Sequence, residues 1–155
     1  MSIHPSTTIG AATLTIADLQ RSLQYYQQNI GLCLLEQTDG KATLGAGEKP
    51  LLHLIEQQDA KPVQRGRTGL YHVAILTPSR YELARTLKHL VDTRTPIGGS
   101  SDHVVSEALY LSDPDGHGIE IYRDRPYTSW PHQDRNRLTA LNPFDFEGVL
   151  GELHN

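Results

Sequence analysis

The feature that most limits the fold is an internal duplication. The chain spells one order of local signals twice, each time over about 55 residues, and a long period that occurs only twice points to two paired modules rather than a solenoid. Residues 9–16 (IGAATLTI) alternate towards their end and are rich in Thr and Ile, which predicts a strand. Asp18 offers a helix N-cap, and Leu19, Leu23, Tyr26 and Ile30 then recur at helical spacing on one face. Gly31 stands where a helix stops. Strands are expected over residues 32–37 and 41–45, joined by the turn Asp39-Gly40, and over 51–57. The order is β-α-β-β-β.

The second pass repeats it. Residues 70–76 (LYHVAIL) predict a strand, and Ser79 with Glu82 forms a capping-box pattern. Leu83, Leu87 and Leu90 mark the apolar face of the helix that follows. Residues 98–101 (GGSS) read as loop. Strands over 104–111 and 118–122 are joined by the turn Asp113-Pro114-Asp115-Gly116. The expected fold is therefore α+β: two paired βαβββ modules forming curved sheets around a cleft, with helices outside. The modules span about 9–57 and 70–123 in one domain over 1–125, with residues 61–68 as a polar linker. Residues 126–155 form a tail carrying Trp130, Phe144, Phe146, Val149 and Leu150, with a short helix expected over 145–153. An apolar tail must cover something, so a homodimer is expected.

Composition excludes several functions. Fourteen basic against 18 acidic residues, a net charge of −4, argues against a nucleic-acid partner. No apolar run approaches the ~20 residues of a membrane span. The N-terminus lacks the basic-then-apolar pattern of a signal peptide, so a cytoplasmic location is expected. The single Cys33 excludes a disulfide within the chain and a Cys-based zinc cluster, and is expected to be a small buried apolar residue. Eight histidines raise the question of metal.

The duplication narrows that question. Matched by element order, Ala11 falls opposite His72 and His53 opposite Glu120. His53, His72 and Glu120 each interrupt an apolar run, where an ionisable group is costly unless paired or bound to a cation. Taken alone, each has a bland alternative: a His in an apolar strand is more often a satisfied core residue, and a strand Glu more often faces solvent. Together, at repeat-related positions, they make a 2-His-1-carboxylate set that suits Fe(II), Mn(II), Ni(II) or Zn(II) with coordination positions left open. His4, His89, His117, His132 and His154 are expected at the surface.

Residues 69–75 (GLYHVAI) and 107–122 (EALYLSDPDGHGIEIY) resemble the second module of the vicinal oxygen chelate superfamily. That superfamily includes glyoxalase I, fosfomycin-resistance enzymes, bleomycin-binding proteins and extradiol dioxygenases. The Asp-Pro-Asp-Gly turn followed by the strand carboxylate Glu120 is the most specific local sign. Residues 9–19 with Ser22, Leu23, Tyr25 and Tyr26 resemble the first module, so the likeness covers 9–123. Residues 101–110 and 145–150 are most similar to the N-terminal domain of two-domain catechol 2,3-dioxygenases.

The resemblance implies a divalent metal on His53, His72 and Glu120, with Fe(II) the first choice and Mn(II), Ni(II) or Zn(II) as alternatives. It implies His53 or His103 as acid–base groups, Tyr110 beside the metal and His103 against the substrate. Ala11 departs from the pattern, since most members place a ligand there. The expected activity is catechol 2,3-dioxygenase-like cleavage of a small aromatic diol. The alternatives are a non-catalytic or ligand-sequestering domain without metal and, with less weight, a glyoxalase I-like lyase.

Overall fold

The helical period of Leu19, Leu23 and Tyr26 is satisfied by burial. All three are at most 4% exposed, and with Leu14, Ile16, Leu44, Leu52 and Leu54 of the neighbouring sheet they supply the core of the first half. Each such side chain contributes roughly 2 kcal/mol when taken fully out of water. The computed structural model describes residues 2–4, 6–64, 66, 68–131 and 141–154. They fall into two compact units, residues 1–62 and 63–155.

The first unit runs β1 (Ala12–Ile16), helix α1 (Leu19–Gln24), β2 (Cys33–Thr38), β3 (Lys41–Ala46) and β4 (Lys49–Glu56). Asp18 caps α1 by accepting from the Arg21 N–H, and the helix continues as π-helical turns over Tyr25–Ile30. Gly31 ends it at φ 86°, the left-handed stop its position predicts. The sheet order is β1-β4-β3-β2, with β1 parallel to β4 and the other pairs antiparallel.

The second unit repeats this with β5 (Val73–Leu76), α2 (Arg80–Asp92), β6 (Gly99–Asp102), β7 (Ser106–Ser112) and β8 (Gly118–Asp124). Its order, β5-β8-β7-β6, is the same path through the sheet. Ser79 caps α2 by accepting from the Glu82 N–H, while the Glu82 carboxylate is engaged by Arg85 at 3.2 Å. Leu83, Leu87 and Leu90 are at most 1% exposed, as their spacing predicts.

Three expectations are corrected. Residues 99–102 are a strand, not a loop: backbone pairing of β6 with β7 overrides the low strand propensity of Gly and Ser. His72 lies just before β5 rather than within it, and the preceding Leu70 and Tyr71 are 55% and 87% exposed. Apolar residues leading into a strand look like the strand itself in sequence. Cys33 is exposed because β2 is the edge strand of its sheet and all six of its residues lie open.

The tail packs within the second unit. Helix α3 (Phe146–Gly151) is capped by Asp145, and a 3-10 turn follows over Glu152–His154. Val149 is fully buried and Phe144 nearly so, with α3 against α2. Phe146, on the same helix, stays 43% exposed.

Candidate functional site

Strand register makes the duplication explicit at the site. Thr13 pairs with His53 in the first sheet, and Ala74 pairs with Glu120 in the second. Ala11 stands two residues before Thr13, and His72 two residues before Ala74. His53 and Glu120 are therefore equivalent positions, as are Ala11 and His72.

In the second unit, four of the sequence-derived candidates meet. His72 Nε2 lies 2.9 Å from Glu120 Oε2, with side chains 28% and 14% exposed. Glu120 is cross-strand partner to Tyr110, whose phenol is hydrogen-bonded to the same carboxylate. Tyr110 Oη is 2.6 Å from His103 Nε2. The result is one polar line, His72–Glu120–Tyr110–His103, held by β8, β7 and the turn after β6. Burial, the Glu120 charge and the hydrogen bond to it push the Tyr110 phenol up to about 12. It therefore stays protonated, and its hydroxyl shares a 2.6 Å hydrogen bond with His103 whose direction follows the histidine tautomer.

Two backbone features set this line. A Cβ at Gly118 would collide with the Tyr71 carbonyl oxygen and sit 3.1 Å from the His72 Cβ. Only glycine lets the start of β8 approach the His72 backbone so closely. Val104 adopts φ 69°, a left-handed conformation that a β-branched residue rarely takes. A cavity of about 530 Å³ opens beside His72 and Tyr110, with Leu70, Tyr71, Gly98 and Ser112 also in its wall.

His53 lies in the first unit, on the sheet face opposite the buried Leu52 and Leu54. Its Nδ1 is 3.0 Å from Thr43 Oγ1, which orients the ring, and a second cavity of about 320 Å³ opens over it. The cross-strand row Thr13, His53, Thr43 and Glu36 makes this face polar. His4 and His154 are exposed, as expected. His89, in the last turn of α2, and His117, in the turn before β8, are half-buried, because each lies beside residues packed into the core. His132 lies outside the described residues.

The donor types and spacing at His72 and Glu120 fit a divalent metal. Two donors about 2.1 Å from one cation at a right angle stand about 3.0 Å apart, close to the 2.9 Å observed. Among the described residues no set of three His, Cys, Asp or Glu side chains is gathered closely enough to hold an ion.

Sequence reasoning missed a charged network beneath the site. Glu107 is fully buried and contacts Arg80, Arg123 and Arg125. Arg80 also reaches Asp145 at 2.9 Å, Glu152 at 3.1 Å and the Gly148 carbonyl at 3.0 Å. Arg125 grips Asp102 through two hydrogen bonds of 2.6 and 2.9 Å. The available signal was Glu107 leading an apolar run, with Arg123 and Arg125 alternating at the end of the neighbouring strand.

The sequence profile of the Glyoxalase/Bleomycin resistance protein/Dioxygenase superfamily matches residues 8–121. The chain is 47% identical over 154 residues to the catechol-2,3-dioxygenase of Bacillus subtilis, covering 97% of this chain and 54% of that protein. It thus spans about half the length of that relative. It is 26% identical over 121 residues to the lactoylglutathione lyase of Neisseria meningitidis serogroup A, covering 72% of this chain and 87% of that one. In fold it is similar to a glyoxalase/dioxygenase from Nostoc punctiforme, with TM-score 0.68 and 19% identity over 81% of this chain and 98% of that one.

Proposed function

The chain belongs to the glyoxalase/bleomycin resistance/dioxygenase superfamily, and from that premise we propose that it binds a divalent metal at His72 and Glu120 and serves catechol 2,3-dioxygenase-like ring cleavage. The observation that carries this reading is the 2.9 Å approach of His72 Nε2 to Glu120 Oε2 beside an open cavity. Fe(II) is the proposed ion.

A bound divalent ion would supply Lewis acidity to two adjacent substrate oxygens. The chain's own residues do the rest. Tyr110 is hydrogen-bonded to Glu120 and fixes the carboxylate, while His103 holds Tyr110 from its far side. The imidazole of His103 is the proposed acceptor of a proton from a diol hydroxyl bound beside Tyr110. Tyr71 and Leu70 offer an apolar wall to an aromatic ring.

Metal analysis of untagged protein tests this. One equivalent of divalent metal is expected, and Glu120→Ala should abolish it. Unchanged metal content in that variant would sink the assignment.

A second reading is a ligand-binding domain without chemistry. Ala11 favours it, because the position equivalent to His72 carries no donor. Cleavage of a catechol by the isolated chain would exclude it.

A further inference from the structure

We infer that the C-terminal segment 141–154 is a positioning element for His103, acting through Asp102 and Arg125. This deepens the site reading above, since it takes the His72–Glu120–Tyr110–His103 line as the place where a small molecule docks. The tail meets the loop before β7 by two routes. Directly, Asn142 and Asp102 exchange backbone hydrogen bonds of 3.0 and 2.8 Å, so the tail adds a bridge to the outer edge of β6. Indirectly, Asp145, Glu152 and the Gly148 carbonyl hold Arg80, and Arg80 and Arg125 share the buried Glu107.

Both routes end on Asp102. Its carboxylate accepts from Arg125 and, at 2.7 Å, from the Val104 N–H. Arg125 also donates to the Val104 carbonyl at 3.1 Å. The strained Val104 backbone is thus held at both its N–H and its C=O. Sparsely populated backbone conformations of this kind persist only where surrounding contacts over-determine them. The residue so fixed is His103, whose own N–H donates to the Ser106 carbonyl at 2.8 Å and whose ring meets Tyr110. Val149, fully buried in the tail helix, keeps the tail seated. Nothing in this path touches a small molecule in the cavity, so Asp102, Arg125 and the tail are positioning residues.

The test is carbethoxylation by diethyl pyrocarbonate, followed residue by residue by mass spectrometry on the full-length chain. The quantity read is the His103 rate relative to His72 and His117 in the same unit. Arg125→Gln should raise this ratio about fivefold, the protection that one ordinary hydrogen bond confers. Tyr110→Phe should raise it similarly, and Arg125→Lys should restore part of the protection. Val149→Asp, which drives the tail helix off α2, should raise it as Arg125→Gln does. An unchanged ratio in Arg125→Gln overturns the inference, and so does a rise shared equally by His72 and His117. If Val149→Asp loses its folded signal, Arg125→Gln decides alone. The labelling needs no metal, so a wild-type protein that takes up none, yet shows the ratio change, overturns the metal assignment and leaves this one intact.

Discussion

His72 and Glu120 sit on opposite sides of a close backbone approach at Gly118 and bring Nε2 and Oε2 to 2.9 Å. A divalent ion bound there, as proposed, would compete for both groups and would lose most of its hold if the carboxylate were neutralised. Glu120→Gln should therefore weaken Ni(II) binding by at least about a hundredfold, beyond what loss of an outer partner costs. Titration calorimetry reads this directly. An unchanged affinity would place the ion elsewhere.

The duplication was legible because element order survives when residues diverge. The helical faces at Leu19, Leu23, Tyr26 and Leu83, Leu87, Leu90 followed from periodicity alone, and all are buried. The cluster His72, Glu120, Tyr110 and His103 was also legible, though Tyr110 and His103 required the family likeness rather than any local pattern. What escaped was set by tertiary contact. Residues 99–102 become a strand only because β7 offers backbone partners. Glu107 reads as an ordinary strand carboxylate until Arg80, from a helix 27 residues away, is seen to reach it. Cys33 reads as buried because its neighbours are apolar, yet it lies on an open edge strand.

Glu107 anchors the charged network. It is fully buried and faces Arg80, Arg123 and Arg125, so its removal leaves partly desolvated guanidinium groups without their shared anion. Glu107→Ala should cost about 3 kcal/mol, in the range for breaking one side of a buried ion pair. Urea unfolding followed by circular dichroism gives the value. A loss near zero would mean that the tail carboxylates Asp145 and Glu152 already balance these arginines.

Asp102 gives the network a pH dependence. Burial pushes its carboxyl up, but hydrogen bonds from Arg125 and the Val104 N–H, with the nearby arginine charges, outweigh this and hold it below the usual range. Its folded-state value is thus lower than its unfolded one. The stabilisation is present above the unfolded value of about 3.9 and is lost as pH falls through the folded value. Asp102→Asn should be less stable than wild type at pH 7, and the gap should close below about pH 4. Melting curves across that range test it; a gap independent of pH would assign the effect to lost packing.

Val104 holds a left-handed backbone with a β-branched side chain. Such strain costs of order 1–3 kcal/mol, while glycine at the same position loses roughly 0.5–1 kcal/mol through its freer unfolded chain. Val104→Gly should therefore gain about 1 kcal/mol, or about 2–4 °C in melting temperature for a chain of this size. The Asp102 and Arg125 contacts to its backbone do not depend on the side chain. A fall in melting temperature would show that the valine side chain contributes packing greater than the strain it carries.

Ala11 is to His53 as His72 is to Glu120, by the pairing of Thr13 with His53 and of Ala74 with Glu120. A histidine at position 11 would therefore stand before β1 as His72 stands before β5, beside a second imidazole rather than a carboxylate. Two imidazoles on one sheet make a better divalent-ion site than one, so Ala11→His should tighten Ni(II) binding by at least about tenfold, the scale of effect seen even for groups that only support a ligand. Competition against a chelating dye, with wild type alongside, reads this change. The gain should vanish in Ala11→His combined with His53→Ala. An unchanged affinity in Ala11→His would mean that the introduced imidazole and His53 do not share an ion.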